Sequence, residues 1–178
     1  HGMTKSAAST IPKLFNRARQ QAQRGRAYGA HIPGDGADFL MARASDDIAD
    51  RVGRVSRQLD EALDSSRHPG LVAGRSCNLP NVGRVSRLES VGTPDILVTP
   101  DQINALPLEG GRYQLIVAPL CLHMFDDLPG VLVQLRRALA PDGLLLANLP
   151  GAGTLAELRG TLLAASTELR GRAARPSH

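Results

Sequence analysis

Tryptophan is absent from the 178 residues, and aromatic side chains make up only 3% of them. A core must therefore be built from Leu, Val, Ile and Ala, which supply most of the 42% hydrophobic content. No long apolar run occurs, which excludes a helix able to span a membrane. Cysteine is nearly missing too: Cys77 and Cys121 stand alone, without motif spacing. That excludes a disulfide framework and points to a reduced, cytoplasmic setting. His31, His68 and His123 are too far apart to offer zinc-ligand spacing. Acid is lacking at the start, where Lys5, Lys13, Arg17, Arg19, Arg24 and Arg26 all precede the first carboxylate, Asp35. Such a stretch reads as a nucleic-acid patch, a targeting peptide or a solvated leader helix, the last being the reading favoured here.

What is present fits one α/β domain large enough for a real core. His1-Gly2 stands ahead of Met3, which reads as the natural start. Residues 1–36 divide off as a basic leader with a first helix from about Pro12 to Ala27, residues 37–170 as the main domain, and 171–178 as a basic tail. Phe39 to Leu59 reads as a helix with Ile48, Val52, Val55 and Leu59 on one face. Ala62 to Asp64 reads as a short first strand, Leu71 to Cys77 as a helix, Gly83 to Glu89 as a second strand and Asp95 to Thr99 as a third. Leu155 to Leu169 closes the chain as a helix.

The plainest stretch runs from Tyr113 to Ala147. A buried strand over Leu115 to Val117 leads into a loop carrying Cys121 and His123. Asp126 or Asp127 can cap a helix whose early Pro129 costs nothing, because the missing N–H would be unpaired there anyway. Leu128, Leu132, Leu135 and Leu139 recur at helical spacing. Pro141-Asp142-Gly143 stops the helix, and Leu144-Leu145-Leu146 starts the next buried strand. Strands alternating with helices predict an α/β fold with a Rossmann-like, doubly wound parallel sheet.

These residues carry a resemblance. Leu120-Cys121-Leu122-His123, Asp127-Leu128-Pro129-Gly130, Gln134 to Leu139, Pro141-Asp142-Gly143 and Thr154 to Arg159 resemble the class I S-adenosylmethionine (SAM) methyltransferases. The branch is the one containing the biotin-synthesis malonyl-carrier-protein methyltransferases and the methyltransferase-like complex I assembly factors. The resemblance implies strand order 3-2-1-4-5 with helices on both faces. It also implies a final antiparallel hairpin, which the residues after Leu169 are not expected to supply.

The resemblance further implies SAM as cofactor. Asp64 matches the acid that ends the first strand, and Ser66, His68 and Gly70 match the three glycine positions of the loop after it. A positive φ at Ser66 would cost roughly 1–2 kcal/mol. Glu89 matches the acid that holds the ribose hydroxyls, although an exposed strand-end acid is an equal reading. Asp101 matches the position beside the adenine amino group. Only Ser90 to Pro94 separate Glu89 from Asp95, where the family places a helix of several turns. His123 stands where a methyl acceptor would lie, either as a general base or as a structural histidine. Cys121 is a nucleophile or, more simply, a small buried hydrophobe. Gly151-Ala152-Gly153 corresponds to the loop lining the acceptor side.

Two functions follow from the resemblance. One is methyl transfer from SAM to a small-molecule or protein acceptor. The other is a catalytically degenerate binding or assembly module. Neither a membrane nor nucleic acid is expected as partner. A parallel sheet ending at a fifth strand leaves Leu144 to Leu149 as an apolar edge, so a homodimer or a partner protein is expected to cover it.

Overall fold

A computed structural model describes residues 14–30, 39–66, 79–89, 95–98, 105–151 and 153–170. Strands β1 (Leu59–Asp64), β2 (Val82–Glu89), β3 (Ile96–Leu97), β4 (Tyr113–Pro119) and β5 (Leu139–Asn148) form one sheet. Its order is β3-β2-β1-β4-β5, and every neighbouring pair is parallel. The expected order and parallel sense of pairing are therefore present. The helices are α1 (Arg17–Ala30), α2 (Phe39–Gly53), α3 (Leu128–Ala138) and α4 (Ala156–Arg170), of which α2 and α3 pack on opposite faces of the sheet.

Both faces of the sheet are buried, which is why its strands read as near-continuous apolar runs. Because strand side chains alternate, Leu63, Leu88, Ile116 and Leu145 pack with Val131 and Leu135 of α3 on one face. Ala62, Val82, Leu115, Val117, Leu144 and Leu146 pack with Ile48 and Val52 of α2 on the other.

Several element boundaries differ from expectation. Helix α2 ends at Gly53 rather than Leu59, and Leu59 is instead the fully buried first residue of a six-residue β1. The stop comes from far along the chain: Asn81 Nδ2 donates to the carbonyls of Val52 (3.0 Å) and Val55 (2.9 Å), closing the helix end. Strand β5 begins at Leu139 rather than Leu144, so Leu139 leaves the helical stripe. Pro141-Asp142-Gly143 forms a bulge inside β5, with Asp142 at φ 60°. Gly143 is required there, since a Cβ would lie 2.8 Å from the Ala140 carbonyl oxygen and 2.9 Å from that of Tyr113. Helix α3 turns Val131, Leu135 and Ala138 inward, leaving Leu132 at the surface. Its cap is Asp127, whose Oδ1 accepts the Gly130 N–H at 2.9 Å.

Helix α1 starts at Arg17, and Leu14 to Asn16 are not helical. Residues 12 and 13, and the helix expected over Leu71 to Cys77, lie outside the described residues. Leu155, Leu158 and Leu162 of the last helical region are exposed. No helix among the described residues is long and apolar enough to cross a membrane.

Leu135→Ala should cost about 2–4 kcal/mol, because it opens a cavity between α3 and the sheet. Leu158→Ala should change stability by about 0.5 kcal/mol or less, since its side chain already meets solvent. Urea unfolding of the two variants checks the contrast.

Candidate functional site at the β1–β4 switch point

From β1 the sheet is built outward in both directions, so β1 and β4 part at their carboxyl ends. In open α/β sheets that divergence is where ligands bind. Asp64 is the last residue of β1 and is buried, and its Oδ1 accepts the Ser66 N–H at 2.8 Å. That bond turns the chain sharply out of the strand. Ser66 is also buried, but it does not adopt a positive φ. The strain expected from its Cβ therefore does not arise.

Ser65, which the sequence did not single out, ties the two strand exits together. Its N–H and its hydroxyl both donate to the Val117 carbonyl, at 2.9 and 3.0 Å, and its Oγ lies 3.8 Å from Cys121 Sγ. Cys121 is buried in the apolar cluster beneath α3, as the small-hydrophobe reading expects. Glu89 ends β2 on the same side of the sheet, paired in register with Leu97. His68, Gly70 and Asp101 lie outside the described residues.

Beyond β4, Leu120 holds a left-handed φ of 47°, and its N–H donates to the Asn148 carbonyl at 3.0 Å. A branched residue in that region costs roughly 1–2 kcal/mol; the bond to the end of β5 helps hold it. The turn leads into a single 3-10 turn, Leu122–Met124, which presents His123 outward. Partial burial, and secondarily the Arg24 guanidinium, hold the His123 imidazole below its ordinary pKa. It is thus neutral at pH 7 and able to accept a proton.

Helix α1 lies over this mouth. Asp126 anchors it, with Oδ1 accepting the N–H groups of Leu14 (2.8 Å) and Phe15 (3.1 Å) and Oδ2 paired to the Arg17 guanidinium. Arg17 also donates to the Met124 carbonyl at 3.0 Å and to Gln20 Oε1 at 3.1 Å. Arg17, Gln20, Gln21 and Arg24 are the partly buried residues of the helix, at i, i+3, i+4 and i+7. Arg24 lies within electrostatic reach of Cys121 and His123, and desolvation lowers its pKa from the ordinary arginine value. The polar periodicity was visible in the sequence. That this polar face turns inward was not.

The buried Asp64 carboxylate, beside two small serines, suits a cationic or amino-bearing group. An acceptor beside it would meet His123. Among the described residues, no three His, Cys, Asp or Glu side chains are grouped to hold a metal.

No family model matches the chain. It is 31% identical over 178 aligned residues to the rat protein named arginine-hydroxylase NDUFAF5, mitochondrial, covering 93% of this chain and 51% of that protein. The human protein of that name is 31% identical over 144 residues, covering 75% and 41%. A malonyl-[acyl-carrier protein] O-methyltransferase of Xylella fastidiosa (strain M23) is 46% identical over 54 residues, covering 30% and 18%. The chain thus spans about half the length of the animal relatives, or less. Among solved structures, a SAM-dependent methyltransferase of Leishmania major superposes with a TM-score of 0.58 at 16% identity, covering 78% of this chain and 63% of that one. The Burkholderia thailandensis 1,6-didemethyltoxoflavin-N1-methyltransferase, with S-adenosylhomocysteine bound, gives 0.55 at 18% identity, covering 76% and 65%.

Two outcomes are expected at this site. The unfolded chain takes up the His123 proton near the ordinary value of 6.5, whereas the folded chain resists it. Stability should therefore fall as pH drops through that region, and His123→Gln should flatten this part of the profile in urea melts at stepped pH. Asp126→Ala should release α1 while leaving the sheet intact. Hydrogen exchange should then speed up over Arg17 to Arg26, with β4 and α3 amides still protected.

Proposed function

With the class I SAM-dependent methyltransferase fold as the premise, we propose that this chain binds SAM at the carboxyl ends of β1 and β2 and directs methyl transfer to an acceptor entering between α1 and His123. The observation that carries the reading is the buried Asp64 at the switch point, locked by the Ser66 N–H and followed by two buried small side chains. A carboxylate there suits the cationic amino and sulfonium groups of SAM, and serines leave room for close approach. Glu89, at the end of β2, is the residue proposed to hold the ribose. SAM, when bound, supplies an activated methyl group, so the protein's task is chiefly orientation and exclusion of water. Helix α1 does the covering, and neutral His123 is suited to take a proton from the acceptor.

A second reading, a degenerate assembly module, is favoured by one observation. Parallel strands β2 and β3 pair at Leu88–Ile96, with only six residues from the end of one strand to the start of the next. No helix of several turns fits in that length, so a wall of the adenine pocket is reduced. The relatives named as a hydroxylase also leave the chemistry open at this fold.

The expected partner follows from the same architecture. Among the described residues no strand pairs with the outer edge of β5, and Leu149, Leu155, Leu158 and Leu162, which follow it in sequence, are exposed. A second copy or another protein covering this edge is part of the proposal.

Calorimetry with SAM separates the two readings. Micromolar affinity supports the enzyme, and Glu89→Ala should then weaken binding by about 1–3 kcal/mol, the loss expected for a charged acceptor. Ser66→Gly should leave affinity within a factor of two, because Ser66 carries no backbone strain to relieve. No heat at millimolar SAM would leave the assembly module.

A further inference from the structure

The chains that leave β1 and β4 part beyond Asp64 and Val117, where the ladder between the two strands ends. Ser65 spans this fork. Its N–H and its hydroxyl both donate to the Val117 carbonyl, at 2.9 and 3.0 Å. A serine hydroxyl carries one proton, and a carbonyl oxygen is a better acceptor than sulfur. That proton is therefore committed to Val117, and the 3.8 Å contact between Ser65 Oγ and Cys121 Sγ runs from thiol to hydroxyl. Both residues are buried, where a hydrogen bond meets little competition from water. Cys121 in turn opens the 3-10 turn Leu122–Met124, its carbonyl accepting the Met124 N–H at 3.1 Å. One residue earlier, the Leu120 N–H donates to the Asn148 carbonyl at 3.0 Å. The start of the turn that carries His123 is thus held to β5 through a backbone bond and to β1 through a side chain.

We propose that Ser65 is a positioning residue, whose hydroxyl, acting through Cys121, sets where the His123 turn stands relative to Asp64. The Ser65 N–H is enough to hold the β1 exit to Val117, since it makes its own bond to the same carbonyl. The hydroxyl adds what the backbone does not, a link onward to the loop after β4. An alanine would close the strand ends as well as serine does, but would take this acceptor away from the thiol. Transfer of a group between two bound molecules depends on their alignment, and a misplacement of about 1 Å from a change outside the chemistry can cost about a hundredfold in rate. A fixed separation between the Asp64 side and the His123 side of the cleft serves that need. The role rests on the functional reading above for the cofactor and its acceptor; the coupling of the two loops needs no SAM.

The coupling is read in the full chain without SAM, from hydrogen exchange at the Met124 and Phe125 amides and from the His123 ring resonances by NMR. Ser65→Ala and Cys121→Ala should each speed exchange at these two amides by about three- to tenfold, the loss of one buried hydrogen bond, and displace the His123 signals. Because both act through one contact, the double variant should exchange no faster than the faster single one. Ser65→Thr, which keeps the hydroxyl, should exchange like the parent chain. Ser86→Ala, at a buried serine of β2 outside the fork, should leave Met124, Phe125 and His123 unchanged. Calorimetry with SAM separates positioning from general support of the fold. Ser65→Ala should leave SAM affinity unchanged, since the Asp64 bond to the Ser66 N–H does not pass through the hydroxyl. Parent-like exchange in both single variants would overturn the proposal. So would additive effects in the double variant, or an equal acceleration spread over the β1 and β4 amides. No heat with SAM in the parent chain, alongside the coupled exchange pattern, would sink the methyltransferase reading and leave the Ser65 link standing.

Discussion

Strands β1 and β4 meet through Ala62, Leu63 and Asp64 against Leu115, Ile116 and Val117, and the position of every proposed functional group follows from that short parallel ladder. These six residues are almost entirely buried, with neighbours alternating between the α2 face and the α3 face. Burial on two faces makes the register strict, because a slip of one residue would exchange the two sets of side chains. The ladder ends where Ser65 takes up the Val117 carbonyl twice, and the chains then diverge. Asp64 and Ser66 leave on one side of the cleft, Leu120 to His123 on the other.

Around this cleft the polar contacts are arranged by distant parts of the chain. Asp126 and Asp127 are adjacent but do different work. Asp127 caps α3, and Asp126 fastens α1 more than a hundred residues earlier in the chain. A largely buried carboxylate facing a guanidinium and two backbone N–H groups is well satisfied, so removing it would leave Arg17 desolvated without a counter-charge. Helix α1 is thus fastened at its start to the loop after β4, with Arg17, Gln20, Gln21 and Arg24 on its partly buried side.

The two edges of the sheet are built less completely. At one, β3 contributes two residues after a six-residue connection. At the other, β5 is long and bulged, with β4 as its neighbour on one side. Exposed leucines of the α4 region lie next in sequence to that second edge. An apolar edge with no partner carries an aggregation cost that natural sheets avoid.

Period and punctuation were enough to read the parallel sheet and the β4–α3–β5 unit from the chain, because two-sided burial writes continuous apolar runs and caps write helix starts, whereas the strand order came from the family resemblance. They also put Asp64, Ser66, Glu89 and His123 at strand exits. Boundaries that depend on remote partners were not legible. Leu59 fits a helical stripe as well as a strand, and it took Asn81 to end α2 before it. Leu144 looked like the start of β5 until the bulge at Pro141-Asp142-Gly143 let Leu139 join the sheet. Nor could the sequence tell that Ser66 sits without backbone strain, since φ there depends on how Asp64 closes the turn. Which face of α1 meets the protein was undecidable from a polar helix with no apolar stripe. Local interactions write their pattern along the chain, whereas Asp126 with Arg17 and Ser65 with Val117 exist only once the sheet has brought them together.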